Sequence, residues 1–157
     1  MILLYHSSNV TVIKPDTLHS RNDLDFGKGF YLTTIQDKAV SYAHRFIRRR
    51  QDAWINVYEF EYSETDWRIL TFEAYDAEWL DFISKCRAGK DDSDYDMIIG
   101  GIANDKVIRT LDRYFAGEIS TDQALGLLKY EKPNIQYCIR SQRMLDECIK
   151  HKESRKL

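Results

Sequence analysis

The chain has 157 residues, 43% of them hydrophobic and 13% aromatic, which suffices for one buried core and is too apolar for a disordered segment. A net charge of −2 raises no global field for nucleic acid or an anionic membrane, and no apolar run approaches a bilayer span. Cys86, Cys138 and Cys148 show no CxxC spacing, so reduced thiols are expected. The opening Met-Ile-Leu-Leu-Tyr-His has neither the basic region nor the cleavage site of a signal peptide, and the expected compartment is the cytoplasm.

In chain order, Ile2–Ser7 reads as a first strand ending in a polar turn at His6-Ser7-Ser8-Asn9. Residues 9 to 29 carry little periodicity, and a loop that long in a compact domain is expected to serve function. Phe30–Thr34 is a short strand, after which Thr34 is placed to cap a helix striped by Ala39, Val40, Ala43, Phe46 and Ile47. The arginines from Arg45 to Arg50 close that helix, where cations complement the C-terminal dipole. Trp54–Tyr62 alternates as a strand, with Trp54, Tyr58, Phe60 and Tyr62 on one face. Trp67–Phe72 follows as its expected partner strand, then a helix over Ala77–Arg87 and a buried strand over Tyr95–Ala103. Val107–Ala116 forms a helix, and Ser120 with Gln123 makes a capping box for another through Leu128. Gln136–Arg140 is a last short strand before a terminal helix striped by Met144, Leu145, Cys148 and Ile149. Strands scattered among helices without regular alternation make a single α+β domain over residues 1–157.

The most informative stretch is Asp25–Thr34. Gly27 and Gly29 stand one residue apart at the mouth of a strand, where a missing Cβ lets a flat ligand approach the main chain. Lys28 offers a cation and Tyr31 a ring with a polar tip. The bend precedes a strand, whereas a dinucleotide fingerprint follows one and opens a helix, so a Rossmann reading does not fit. His19, His44 and His151 share no ligand spacing, so no metal is expected.

Phe26-Gly27-Lys28-Gly29-Phe30-Tyr31-Leu32, following Tyr5-His6-Ser7-Ser8, resembles the catalytic domain of the ADP-ribosyltransferase superfamily, poly-ADP-ribose polymerases included. Lys38 and Tyr42 stand where those enzymes have a lysine and a second tyrosine. The nearest kin implied are short bacterial domains of toxin–antitoxin type. The resemblance implies a split β-sandwich of two small sheets flanked by helices, and NAD⁺ as substrate. It implies that the backbone of Ser7 pairs with the carboxamide, that His6 bonds a ribose hydroxyl, and that Tyr31 and Tyr42 sandwich the nicotinamide. Lys28 and Arg21 would meet the pyrophosphate. The position of the family's late acidic residue is held by Gln136, which can orient a hydroxyl but supplies no negative charge, and Ala39 replaces a serine. The implied activity is therefore single transfer of ADP-ribose to an unknown protein or nucleic-acid acceptor, with a small antitoxin as partner. A catalytically weak or dead module that binds NAD⁺ or ADP-ribose or serves protein interaction, or an NAD⁺ glycohydrolase, is the alternative.

Overall fold

A computed structural model describes residues 1–20 and 24–157. In chain order the elements are β1 (Ile2–Ser8), β2 (Phe30–Leu32), α1 (Gln36–Arg48), β3 (Trp54–Phe60), β4 (Ile69–Thr71) and α2 (Ala77–Arg87). There follow β5 (Met97–Ile102), α3 (Asp105–Phe115), α4 (Thr121–Leu128), β6 (Asn134–Ile139), α5 (Gln142–Cys148) and β7 (Ile149–Lys156). The strands form two small sheets, ordered β1-β3-β7 and β2-β6-β5-β4. The fold class is α+β, as expected. No helix among the described residues is long and apolar enough to cross a membrane.

Strand alternation distributes the core into three layers. Leu4, Tyr58 and Phe60 of the first sheet meet Phe30, Leu32, Met97 and Ile139 of the second, and Met144 and Leu145 of α5 pack on the same cluster. On the far side of β3, Ile55 and Val57 pack under Ala39 and Ala43 of α1. On the far side of the second sheet, Ile98 and Cys138 pack with Trp79, Leu80 and Ile83 of α2, Val107 and Leu111 of α3 and Leu128 of α4.

Several expectations are corrected. Trp67–Phe72 does not pair with the Trp54 strand; its ordered part, β4, runs parallel to β5 in the other sheet. Cys148 ends α5, and Ile149 turns out of the helix to begin β7, which pairs with β3 along its length. Helix α1 starts from Ile35 without a side-chain cap, while the Thr33 hydroxyl accepts from the Ile35 amide. The capping box of Ser120 and Gln123 is present as expected.

Asn56, wholly buried on β3, governs the long loop after β1. Its Oδ1 accepts from the Val12 amide at 2.9 Å and from the Ser154 hydroxyl at 2.7 Å, and its Nδ2 donates to the carbonyls of His6 and Val10. The Tyr58 hydroxyl donates to the Val12 carbonyl, and Gln142 bonds Pro15 and Thr17. These contacts satisfy main-chain groups that a loop would otherwise leave unpaired.

Candidate functional site

Among the described residues one isolated main-chain bridge links the two sheets, between β1 and Thr33 just after β2. The Tyr5 amide donates to the Thr33 carbonyl at 2.8 Å and the Thr33 amide to the Tyr5 carbonyl at 3.0 Å. Beyond that bridge β1 follows β3 and β2 follows β6, so the strands part. Main-chain groups alternate in direction along an antiparallel ladder. Because Tyr5 points its N–H and C=O at β2, Ser7 points its own pair the same way, into the gap on the side of Tyr31. Among the described residues no hydrogen bond occupies that pair. The Ser7 hydroxyl turns aside to the Ala39 carbonyl on α1.

His6 spans the gap. Its Nδ1 lies 2.7 Å from the Tyr31 carbonyl and its ring centroid 4.2 Å from that of Phe30. A carbonyl only accepts, so Nδ1 carries the proton and Nε2 keeps its lone pair. Burial lowers the histidine pKa, and the bond to Tyr31 opposes it only in part. The imidazole is neutral.

The Tyr31 hydroxyl donates to the Gly27 carbonyl at 2.6 Å and accepts from the Phe26 amide at 3.1 Å. Burial, with the neighbouring Cys138 thiol, pushes its ionisation well above that of a free phenol. The ring is thus a fixed, un-ionised wall. The Tyr42 ring is exposed and lies against the Arg45 guanidinium, 3.9 Å from its centroid, and against Phe46.

Gln136 stands opposite Gly100 on β5, and one further step of the β2–β6 register sets it opposite Thr33. It therefore shares a face with Cys138 and Tyr31, the face that α2, α3 and α4 cover. On the same face Lys38 donates to the Asn134 side chain at 2.6 Å, fastening α1 to the start of β6. His6, Ser7 and Tyr31 lie where the sheets part and Gln136 one strand further in on β6, with the His6 ring on the opposite face of the sheet from Tyr31 and Gln136. Arg21 falls outside the described residues.

The glycine bend works differently from the expectation. Gly27 adopts φ +75°, a left-handed turn that glycine tolerates. At Gly29 a Cβ would lie 2.6 Å from Cys138 Sγ and 2.9 Å from the Ile139 carbonyl. The close approach is therefore taken by the protein's own β6 rather than left for a ligand. Lys28, between them, is exposed. Sequence reasoning missed Thr33, Asn56 and Cys138; the one signal was Asn56, a lone amide between Trp54 and Tyr58 on an otherwise aromatic face.

Two surface depressions lie elsewhere: one of about 470 Å³ between Trp67 and Arg143, the other of about 480 Å³ between Tyr75 and Pro133. Neither is lined by His6, Tyr31 or Gln136. Among the described residues no group of three or more His, Cys, Asp or Glu is placed to hold a metal ion.

A family model described as "Protein of unknown function (DUF3990)" matches residues 2–151. The chain belongs to that family. No match is found among curated proteins or among solved structures. The family's span takes in every residue gathered at the parting of the sheets, and it ends within β7.

Proposed function

We propose that this chain is an NAD⁺-dependent mono-ADP-ribosyltransferase-like protein with that superfamily's split sandwich. In this reading it is a bacterial toxin or effector, acts in the cytoplasm, modifies a protein or nucleic acid, and is restrained by a small antitoxin protein. The observation that carries the reading is the main-chain N–H and C=O of Ser7, which face one gap together without a described partner. A donor and an acceptor aimed the same way complement a primary carboxamide such as that of nicotinamide.

The neighbouring groups support the same substrate. The pinned Tyr31 ring offers a flat electron-rich wall to a cationic pyridinium. His6, neutral and with Nε2 unprotonated, can accept from a ribose hydroxyl. Lys28, exposed in the bend before β2, offers a cation to a pyrophosphate. Gln136 can hold a second hydroxyl through its amide. It adds no charge where the ribose becomes cationic, and loss of one such stabiliser costs on the order of a hundredfold or more in rate. Transfer of a single unit, and slowly, follows from that substitution.

A second reading has its own observation. With an amide at Gln136 and with Ala39 buried against the first sheet, the site could bind NAD⁺ or ADP-ribose without turnover, or release nicotinamide to water alone. Labelled NAD⁺ incubated with protein and cell extract separates these outcomes. Transfer labels a macromolecule, hydrolysis releases nicotinamide without a labelled acceptor, and a binder gives calorimetric heat alone. Gln136→Glu should raise nicotinamide release by about tenfold or more. An unchanged rate, with NAD⁺ still bound, would remove Gln136 from the site.

A further inference from the structure

Helix α1 carries Lys38, Tyr42, Arg45 and Arg49 at spacings of four, three and four residues. At 3.6 residues per turn these fall in one stripe about 60° wide and about 16 Å long. The stripe begins at the Lys38–Asn134 contact beside β6 and ends at the C-cap, Arg49. Tyr42 is 46% exposed at its centre. An arginine serving the helix dipole would extend toward the last carbonyls. Arg45 turns back instead: its guanidinium lies 3.9 Å over the Tyr42 ring, and Nη1 donates to the phenol oxygen at 2.8 Å. Among the described residues neither Arg45, Arg48 nor Arg49 meets a carboxylate. The acid of this helix, Asp37, lies about a quarter-turn from the stripe.

We propose that this flank of α1 binds single-stranded nucleic acid. Lys38, Arg45 and Arg49 would track the phosphates, and a base would extend the Tyr42–Arg45 stack. Cations interleaved with an exposed aromatic are the means by which proteins hold unpaired strands without reading sequence. An acidic peptide complements the charges but leaves the exposed ring unused. The chain's net charge of −2 means that binding must come from this local track rather than from the whole surface. The inference does not depend on NAD⁺ chemistry.

Fluorescence anisotropy with labelled single-stranded DNA and RNA oligonucleotides, without NAD⁺, tests it. Three phosphate contacts predict a log–log salt slope of about −2. Arg45→Gln/Arg49→Gln should weaken binding of either strand by about tenfold or more and flatten the slope by about 1.4. Tyr42→Ala should weaken it by roughly fivefold or more, the loss of one base stack. Lys106→Gln/Arg109→Gln on α3 changes the net charge equally and should leave affinity unaltered, with circular dichroism verifying that each variant is folded. The proposal is overturned if no strand binds at about 50 mM salt, or if the α3 pair weakens binding as much as the α1 pair. It is also overturned if a poly-glutamate peptide competes as well as an unlabelled oligonucleotide.

Discussion

The Nδ1 of His6 lies 2.7 Å from the main-chain carbonyl of Tyr31, so a side chain of one sheet holds the backbone of the other where their ladder has stopped. Burial keeps that imidazole neutral and lowers its pKa below the ordinary 6.5. The unfolded chain takes up this proton as pH falls through 6.5, while the folded chain resists until a lower pH. The contribution to stability is therefore complete above 6.5 and lost progressively below it. Thermal melts between pH 7 and 5 should show a drop in Tm for the native chain that is smaller in His6→Gln. Parallel curves for the two proteins would show that His6 does not carry this linkage.

The two glycines of the bend should fail for different reasons. Gly27→Ala puts a Cβ on a residue at φ +75° where, among the described residues beyond its chain neighbours, the nearest atom is Cys86 Sγ at 4.0 Å, so the cost is conformational, about 1–2 kcal/mol. Gly29→Ala drives a methyl into Cys138 and the Ile139 carbonyl, an overpacking cost of about 1–3 kcal/mol. Urea titrations should show that adding Cys138→Ala recovers part of the Gly29→Ala loss and none of the Gly27→Ala loss. Equal recovery in both backgrounds would contradict the packing account.

Removing the Asn56 amide takes a hydrogen bond from each of three segments: β1, the loop after it and β7. Asn56→Leu should destabilise the fold by about 3 kcal/mol, because the Val12 amide and the Val10 carbonyl lose their bonds to it, at about 1–3 kcal/mol for each group left unsatisfied, while the Ser154 hydroxyl keeps His151. Ser154→Ala, which removes the bonds to Asn56 and His151 and leaves Oδ1 its contact with Val12, should cost about 1–2 kcal/mol. Hydrogen exchange at the Val12 amide locates the effect: protection should be lost in Asn56→Leu and kept in Ser154→Ala.

The thiols should react in two classes. Cys86 and Cys138 are buried, and burial pushes the pKa of each up to about 12. Cys148 is half-buried at the end of α5. At pH 8 an aromatic disulfide reagent should titrate one thiol first and release the other two only on unfolding. Rapid reaction of all three would mean that the Phe26–Gly29 bend opens readily from β6.

The residues that announced their structure were those whose local chemistry agreed with their tertiary surroundings. Ser120 and Gln123 cap α4 as their spacing implies, and the alternation of β3 delivers Tyr58 and Phe60 to one core and Ile55 and Val57 to another. β7 escaped because Lys150, Lys152, Glu153, Arg155 and Lys156 suit a sheet edge, where charge discourages further pairing, and not the half-buried strand that alternation detects. The direction of β4 was equally hidden, since three residues with parallel neighbours carry no turn to announce them. At the site, His6, Tyr31 and Gln136 were legible through a resemblance, whereas Thr33 and Cys138 beside them depend on which strands become neighbours. Single-residue patterns do not encode that.

The order of the strands has a consequence for synthesis. β3, the middle of its sheet, waits for Ile149–Lys156 to cover its second edge, and the Asn56 amide waits for Ser154. A nascent chain that has emerged from the ribosome only as far as β6 therefore holds all four strands of the second sheet but leaves β3 bare along one side. Translational pausing before β7 would leave a sticky intermediate for chaperones to shield.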